Sequence, residues 1–140
     1  MPLTLECIKH PTTEDFSDLE KIYLDHPQFN SASILAELAN ASTCQLYAGR
    51  FNGRLLAAIW GYPQPDNSLR FKYLQVRDIT RRRGVAKQLL ELLCQQAKKQ
   101  QQCIYAHEAD ISPEALPITA AAGFHCKELD GKGYIWAFND

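Results

Sequence analysis

The sequence predicts an α/β fold in which a mixed, mostly antiparallel sheet of about seven strands carries helices on both faces. Two observations lead to this class. The stretch CQLYAGRFNGRLLAAIWGY holds two strand-like runs around Asn52-Gly53, a pair that favours a tight hairpin turn because both residues tolerate positive φ. A long amphipathic helix pattern begins at Val85, and strand-like and helical patterns then follow one another to the end of the chain.

The N-terminal part predicts one strand and two helices. Residues alternate between apolar and polar from Leu3 to Ile8, as in a half-buried strand. Thr12 and Asp15 then have the spacing of a capping box, which begins a helix that Pro27 ends. The apolar positions at helical spacing are Phe16, Leu19, Ile22 and Tyr23 in this helix and Ile34, Leu35 and Leu38 in the next, for which Ser31 and Ser33 are the candidate N-caps.

The middle of the chain predicts a three-stranded antiparallel meander. The hairpin around Asn52-Gly53 supplies its first two strands. A loop rich in Pro, Asp and Asn spans residues 63–67 and leads to a third strand from Leu69 to Val76.

The C-terminal part predicts two helices and three strands. The long helix has an apolar stripe and ends near Lys98 and Lys99, where cations suit the helix dipole. A strand over CIYAHEA follows, and then a loop from Ser112-Pro113. A short helix with Pro117 in its first turn stops at Gly123. The last two strands form a hairpin of Phe124–Leu129 with Tyr134–Phe138 around Asp130-Gly131. The apolar stripe of the long helix consists of Val85, Leu89, Leu92, Leu93 and Ala97.

Composition predicts an ordinary globular domain. The chain has 140 residues, of which 46% are hydrophobic and 22% charged, and its net charge is -1 at pH 7. We expect one domain over residues 1–140, since no repeat or linker interrupts it. A near-neutral charge is not typical of a protein that binds nucleic acid, which usually carries a basic excess.

The cysteines and the termini indicate the compartment. Five cysteines are scattered without paired spacing, so we expect reduced thiols and neither a disulfide framework nor a metal site. The N-terminus lacks the apolar core of a signal peptide, and no apolar run approaches the ~20 residues that span a bilayer. We therefore expect a cytoplasmic protein with no membrane partner.

Three consecutive arginines, Arg81–Arg83, stand directly before Gly84 and the long helix. A helix-turn-helix would need a helix before them, whereas the sequence predicts a strand. As solvated cations at a helix N-terminus they would oppose the macrodipole. A phosphate explains them better, because the free N–H groups of the helix start and a small Gly84 allow an anion to approach. The Walker A and Rossmann glycine patterns are absent.

The same stretch carries a family resemblance. RRRGVA, residues 81–86, matches the (Q/R)-x-x-G-x-(G/A) signature of the GNAT acetyltransferase superfamily and follows a strand ending in LQV. The element order and AAAGF, residues 120–124, also resemble this superfamily. Within it, LTLECIKHPTTEDFSDLEKIY, RFNGRLLAAI and VRDITRRRGVAKQLLE are similar to the PanZ (PanM) type, and the C-terminal third is similar more loosely.

The resemblance implies a GNAT fold and a site for acetyl-CoA or CoA. Backbone groups of one strand would pair with the pantetheine arm, and the following loop would wrap the pyrophosphate, chiefly through N–H groups of Arg83, Gly84, Ala86 and Lys87. The implied cofactor-binding residues are Leu74, Gln75, Val76, Thr80, Arg81, Arg82, Arg83, Gly84, Val85, Ala86 and Lys87.

The PanZ-type resemblance also implies a protein partner, aspartate 1-decarboxylase of pantothenate synthesis. The implied contacts are the basic and polar residues beside the cofactor cleft, namely Arg50, Asn52, Arg77 and Arg81. The chain would then be an acetyl-CoA sensor rather than an enzyme.

Catalysis would need further groups, and an active N-acetyltransferase stays open. Many GNAT enzymes use a tyrosine as general acid four residues before the glycine of GF, where this chain has Thr119. A threonine hydroxyl is a poor acid for a leaving thiolate. His107, Glu108 and Asp110 are the candidates for a general base. On a continuous strand His107 and Glu108 point to opposite faces, so at most one would face the cleft.

Overall fold

A computed structural model describes residues 3–39, 43–77, 84–129, 131 and 133–138. The strands are β1 (Thr4–Ile8), β2 (Gln45–Phe51), β3 (Arg54–Pro63), β4 (Leu69–Val76), β5 (Ile104–His107), β6 (His125–Glu128) and β7 (Tyr134–Phe138). The helices are α1 (Thr13–Ile22), α2 (Ser31–Leu38), α3 (Val85–Lys99) and α4 (Leu116–Ala121), with a 3-10 turn at Glu108–Asp110.

The described strands form one seven-stranded sheet in the order β1-β2-β3-β4-β5-β7-β6. Neighbouring strands are antiparallel, except that β4 and β5 run parallel. This sheet confirms the predicted architecture. One apolar core lies between the sheet and α3 and α4, and a second lies between the sheet and α1 and α2.

Local signals fix several element ends. Thr12 and Asp15 form the predicted capping box, because the Thr12 hydroxyl accepts from the Asp15 N–H at 3.1 Å and the Asp15 carboxylate accepts from the Thr12 N–H at 3.2 Å. Asn52 and Gly53 have φ of 51° and 78°, as a tight hairpin turn requires. Gly123 follows the α4 cap with a φ of 105°, as the sequence predicts.

Other predicted ends were wrong. Helix α1 ends at Ile22, before Pro27, because the chain turns where the His26 N–H donates to the Tyr23 carbonyl. The N-cap of α2 is Asn30 rather than a serine, since its side-chain oxygen accepts from the Ser33 N–H at 2.9 Å.

The strand predicted over CIYAHEA is also shorter than expected. Strand β5 ends at His107, and Glu108 begins the 3-10 turn, which an N–H of Ile111 closes by donating to the Glu108 carbonyl. The alternation expected between His107 and Glu108 therefore does not apply.

Candidate functional site: a cleft beside the end of β4

The sheet opens between β4 and β5. Among the described residues these parallel strands pair at Leu69 with Ile104 and at Arg70 with Tyr105. Beyond Arg70, β4 continues to Val76 without further pairing to β5 in the described part of the chain. The backbone of this half of β4 is therefore left beside a gap in the sheet.

Strand β4 is bent at the start of this gap. Its register with β3 shifts between Ala58 and Trp60, and Tyr73 has a φ of 60°, in the left-handed region that non-glycine residues rarely occupy. The buried hydroxyl of Tyr23, at the end of α1, donates to the Tyr73 carbonyl at 2.8 Å. Burial raises the pKa of Tyr23 well above its ordinary value, so the hydroxyl keeps its proton and remains a donor. The end of α1 thus holds the bulge.

The ladder with β3 sets the direction of the backbone groups beyond the bulge. The Arg77 N–H donates to the Leu56 carbonyl at 2.9 Å, and Gln75 lies opposite Ala58. Hydrogen bonds alternate along an antiparallel pair, so the N–H and C=O of Val76 point away from β3 and into the gap. An extended ligand with amide groups can pair with such an edge as an additional strand would.

The N-terminus of α3 lies at one end of the gap. Gly84 is the N-cap with a φ of 72°, and it makes no side-chain capping bond. A helix start of this kind presents N–H groups and a partial positive charge to an anion. An added Cβ at Gly84 would meet no described atom within 4 Å, so none of the described residues covers this face of the helix start. The predicted residues Thr80, Arg81, Arg82 and Arg83 lie outside the described part of the chain.

These parts enclose a cleft of about 710 Å³. All the predicted cofactor-binding residues that the structure describes line it, together with two segments that the sequence did not indicate. The predicted residues are Leu74, Gln75, Val76, Gly84, Val85, Ala86 and Lys87, and the unpredicted ones are Asp25, His26, Ser112, Glu114, Ala115 and Ile118.

The unpredicted wall comes from two connections that are distant in the sequence. His26 lies between α1 and α2, and its Nε2 is 3.2 Å from the Gln75 side-chain nitrogen on β4. The segment before α4, together with Ile118 in α4 itself, supplies most of the rest of the wall. Neither connection has a periodic pattern, so no signal short of the complete fold brings them to the cleft.

Two of the three candidates for a general base lie away from the cleft, and the third, Asp110, lines a smaller cavity that adjoins it. Neither His107 nor Glu108 is among the described residues of the cleft. The Glu108 carboxylate accepts a hydrogen bond from the Trp136 indole N–H at 3.0 Å, and the His107 ring lies against Tyr105. Asp110 forms an ion pair with Arg70.

Thr119 occupies the position at which many GNAT enzymes have the tyrosine general acid. Its side chain is fully buried, and its hydroxyl donates to the Ala115 carbonyl at 2.8 Å within the helical turn. The hydroxyl is therefore used inside the protein and does not face the cleft.

The predicted partner-binding residues lie at the end of the sheet near the β2–β3 hairpin. Arg50 binds Glu6 and Asp15 and donates to the Gly53 carbonyl, and exposed Asn52 occupies the turn. Arg77 directly follows Val76, so this surface adjoins the cleft. Arg81 lies outside the described residues.

A buried carboxylate organises this surface. Asp18 is fully buried, and it accepts from the Arg54 guanidinium and, at 3.0 Å, from the Leu55 N–H. Burial opposes its ionisation, but these hydrogen bonds and the charges of Arg54 and Arg77 outweigh the burial and lower the pKa of Asp18. The Arg77 guanidinium lies 3.9 Å from the same carboxylate.

No helix in the described ranges is both long and apolar enough to cross a bilayer. In those same residues, no cluster of His, Cys, Asp and Glu has the grouping that a metal ion needs.

Residues 2–128 match the family model described as the PanZ acetyltransferase (GNAT) domain. The PanD regulatory factor of Salmonella typhimurium is 36% identical over 91 residues, and that of Escherichia coli K12 is 35% identical over 91 residues. Each match spans 65% of this chain and 65% of the relative, just under two thirds of either length.

Solved structures share the fold. The solution NMR structure of E. coli YhhK bound to coenzyme A has a TM-score of 0.74 and 27% identity, covering 100% of both chains. A Bacillus subtilis acetyltransferase in complex with CoA has a TM-score of 0.69 and 15% identity, covering 99% of both chains. The family match and these shared features lead to one conclusion: the chain belongs to the PanZ family of GNAT domains.

Proposed function

We propose that this chain binds acetyl-CoA in the cleft and regulates aspartate 1-decarboxylase, as an acetyl-CoA sensor in pantothenate and CoA biosynthesis. The observation that carries the proposal is the gap between β4 and β5, which ends at the N-terminus of α3. Relatives named PanD regulatory factor support the regulatory part. The expected compartment is the cytoplasm.

The cleft suits the two chemically different halves of CoA. The pantetheine arm is uncharged and carries amides, which match the backbone groups that Val76 directs into the gap. The pyrophosphate is anionic and suits the N–H groups at the start of α3, beside the exposed cation of Lys87. Thr80 and Arg81–Arg83 remain the residues predicted to wrap the phosphates.

The described cleft favours a sensor over an enzyme. Acetyl transfer needs a base for the amine and an acid for the thiolate. The hydroxyl of Thr119 is bonded within its own helical turn, and the carboxylate of Glu108 is bonded to Trp136. Neither of these residues is among the described lining of the cleft, and the third candidate base, Asp110, is paired with Arg70.

One observation favours a second function, N-acetyl transfer to an amine. His26 lines the cleft, and imidazole is the commonest general base in enzymes. If this reaction occurs, the His26→Gln variant should lose thiol release while it keeps acetyl-CoA affinity within about threefold.

Regulation requires that cofactor and partner favour the same state of the protein. Arg77 joins the proposed partner surface to the strand that would hold pantetheine, so cofactor contacts at Val76 can bias the geometry of that surface. Linkage makes such coupling reciprocal, since acetyl-CoA and the decarboxylase must tighten each other's binding by one common factor.

The test measures acetyl-CoA affinity by calorimetry with and without the decarboxylase or its precursor, and assays free thiol in the same samples. We expect acetyl-CoA to bind more tightly when the decarboxylase is present, without turnover. Steady thiol release with a simple amine, together with an unchanged affinity, would exclude the sensor and support the transferase. If the chain binds neither CoA nor acetyl-CoA, both functions are excluded.

A further inference from the structure

A second cavity continues the cleft along β4. It has a volume of about 340 Å³ and is called the end cavity below. The end cavity shares His26, Leu74, Gln75, Ser112 and Ala115 with the cleft. The residues that line the end cavity alone are Phe71, Tyr73, Ala109, Asp110, Ile111 and Pro113.

The order of lining residues along β4 shows which end of CoA would meet this cavity. The cleft adjoins the start of α3 and follows β4 from Val76 back to Leu74, whereas the end cavity continues back to Phe71. A strand rises about 3.3 Å per residue, so Phe71 lies roughly 15 Å from Val76. A pantetheine arm that starts at the helix N-terminus and runs along this edge therefore points its thioester at the end cavity.

The walls of the end cavity suit an uncharged group. Phe71, Leu74 and Ile111 are buried apolar side chains. The charged and ring groups beside them have partners: Asp110 is paired with Arg70, and the His26 ring lies at hydrogen-bond distance from the Gln75 amide. The carboxylate in the cavity wall is thus neutralised by an ion pair, and it is not a single unpaired charge that would attract an ammonium group.

The size of the cavity exceeds what acetyl fills. Water occupies about 30 Å³ per molecule in the liquid, so 340 Å³ corresponds to on the order of ten waters. An acetyl group has three heavy atoms and would leave most of this space to solvent. Small-molecule sites of roughly 300 Å³ or more hold larger groups.

We propose that the end cavity binds the acyl chain of short-chain acyl-CoA thioesters, such as propionyl-CoA and butyryl-CoA. This inference rests on the proposed binding of CoA in the cleft. Burial of each added methylene should tighten binding by about fourfold, the factor that its transfer from water supplies. The chain would then respond to short acyl-CoA species as a class and not to acetyl-CoA alone.

The first test is a calorimetric series on the full chain with CoA, acetyl-CoA, propionyl-CoA and butyryl-CoA. We expect Kd to fall by about fourfold from acetyl to propionyl and again from propionyl to butyryl. Equal affinities for acetyl-CoA, propionyl-CoA and butyryl-CoA would overturn the inference. Equal affinities are the result expected if the cavity instead holds a separate acceptor amine. Failure of CoA itself to bind would instead reject the proposed function.

The second test fills the end cavity. Ala109 is exposed and lines the end cavity but not the cleft, so Ala109→Leu adds three carbons there without replacing a buried residue. We expect butyryl-CoA to bind about tenfold more weakly to this variant, with acetyl-CoA and 3′,5′-ADP within about twofold of wild type. Ala36→Leu, at an exposed position of helix α2, is the matched control and should change none of these affinities. Equal losses for acetyl-CoA and butyryl-CoA in Ala109→Leu would contradict the assignment.

Discussion

Tyr23→Phe removes one hydroxyl from the contact that holds the β4 bulge. The ring is 2% exposed and packs on Phe29 at a centroid distance of 4.9 Å, so the phenylalanine should keep the packing. What is lost is the hydrogen bond of 2.8 Å to the Tyr73 carbonyl. Leaving such an acceptor without its partner costs about 1–3 kcal/mol, which for a chain of this length lowers Tm by roughly 3–10 °C.

The functional effect should be specific to the pantetheine half of the ligand. A looser bulge misaligns Leu74–Val76 but leaves the N-terminus of α3 in place. We expect at least fivefold weaker binding of acetyl-CoA, about 1 kcal/mol, with no change for 3′,5′-ADP, which lacks the pantetheine arm. Calorimetry with both ligands measures this difference, and urea unfolding measures the stability.

The matched control is Tyr47→Phe, which removes a hydroxyl bonded to Gln45 on β2, away from the cleft. It should change neither ligand's affinity. Wild-type affinity for acetyl-CoA in Tyr23→Phe would refute the role of the Tyr23 hydroxyl in aligning β4. Equal weakening of both ligands would show a general loss of structure instead.

Three further outcomes are expected. Gly84→Asp should weaken acetyl-CoA binding at least tenfold, or roughly 1.4 kcal/mol, because it places a carboxylate at the proposed phosphate site. Asparagine tolerates the φ of 72° and carries no charge, so Gly84→Asn should lose less affinity for acetyl-CoA in the same calorimetry. The lowered pKa of Asp18 means that its contribution to stability is present above the ordinary aspartate pKa and is lost as pH falls through the lower folded pKa. The free energies of urea unfolding of wild type and Asp18→Asn should therefore converge as pH falls below the folded pKa of Asp18. Acetyl-CoA at about 100 times its Kd should stabilise the chain by roughly 2.7 kcal/mol in a thermal shift assay, and an oligonucleotide that gives this rise instead would restore the nucleic-acid interpretation.

Sequence reasoning was accurate where a feature depends on neighbouring residues. The capping box at Thr12, the turn at Asn52-Gly53 and the bounds of β4 each follow from local chemistry. It was less accurate where several neighbours offer the same chemistry. Asn30 precedes two serines that also make good N-caps, so the preference of each residue type does not decide which of them accepts from the helix N–H groups.

The wall of the cleft that β4 and the start of α3 form was predictable because it comes from one stretch of the sequence. Strand β4 and the start of α3 carry their own patterns, and a family motif joins them. The opposite wall was not predictable, since His26 and the segment around Ser112 reach β4 through the sheet order. The helical pattern that placed Tyr23 on the apolar face of α1 likewise did not indicate the partner of its hydroxyl. That partner is the carbonyl of Tyr73, 50 residues further along the sequence.

The central claim, that CoA binds between β4 and the start of α3, is tested most directly by an amide NMR titration of the full chain with acetyl-CoA. We expect the largest shift changes at the N–H groups of Val76, Gly84, Ala86 and Lys87, with small changes in β6 at the far edge of the sheet. Saturable binding that leaves the Val76 and Gly84 amides unmoved, with its largest changes elsewhere, would contradict the account.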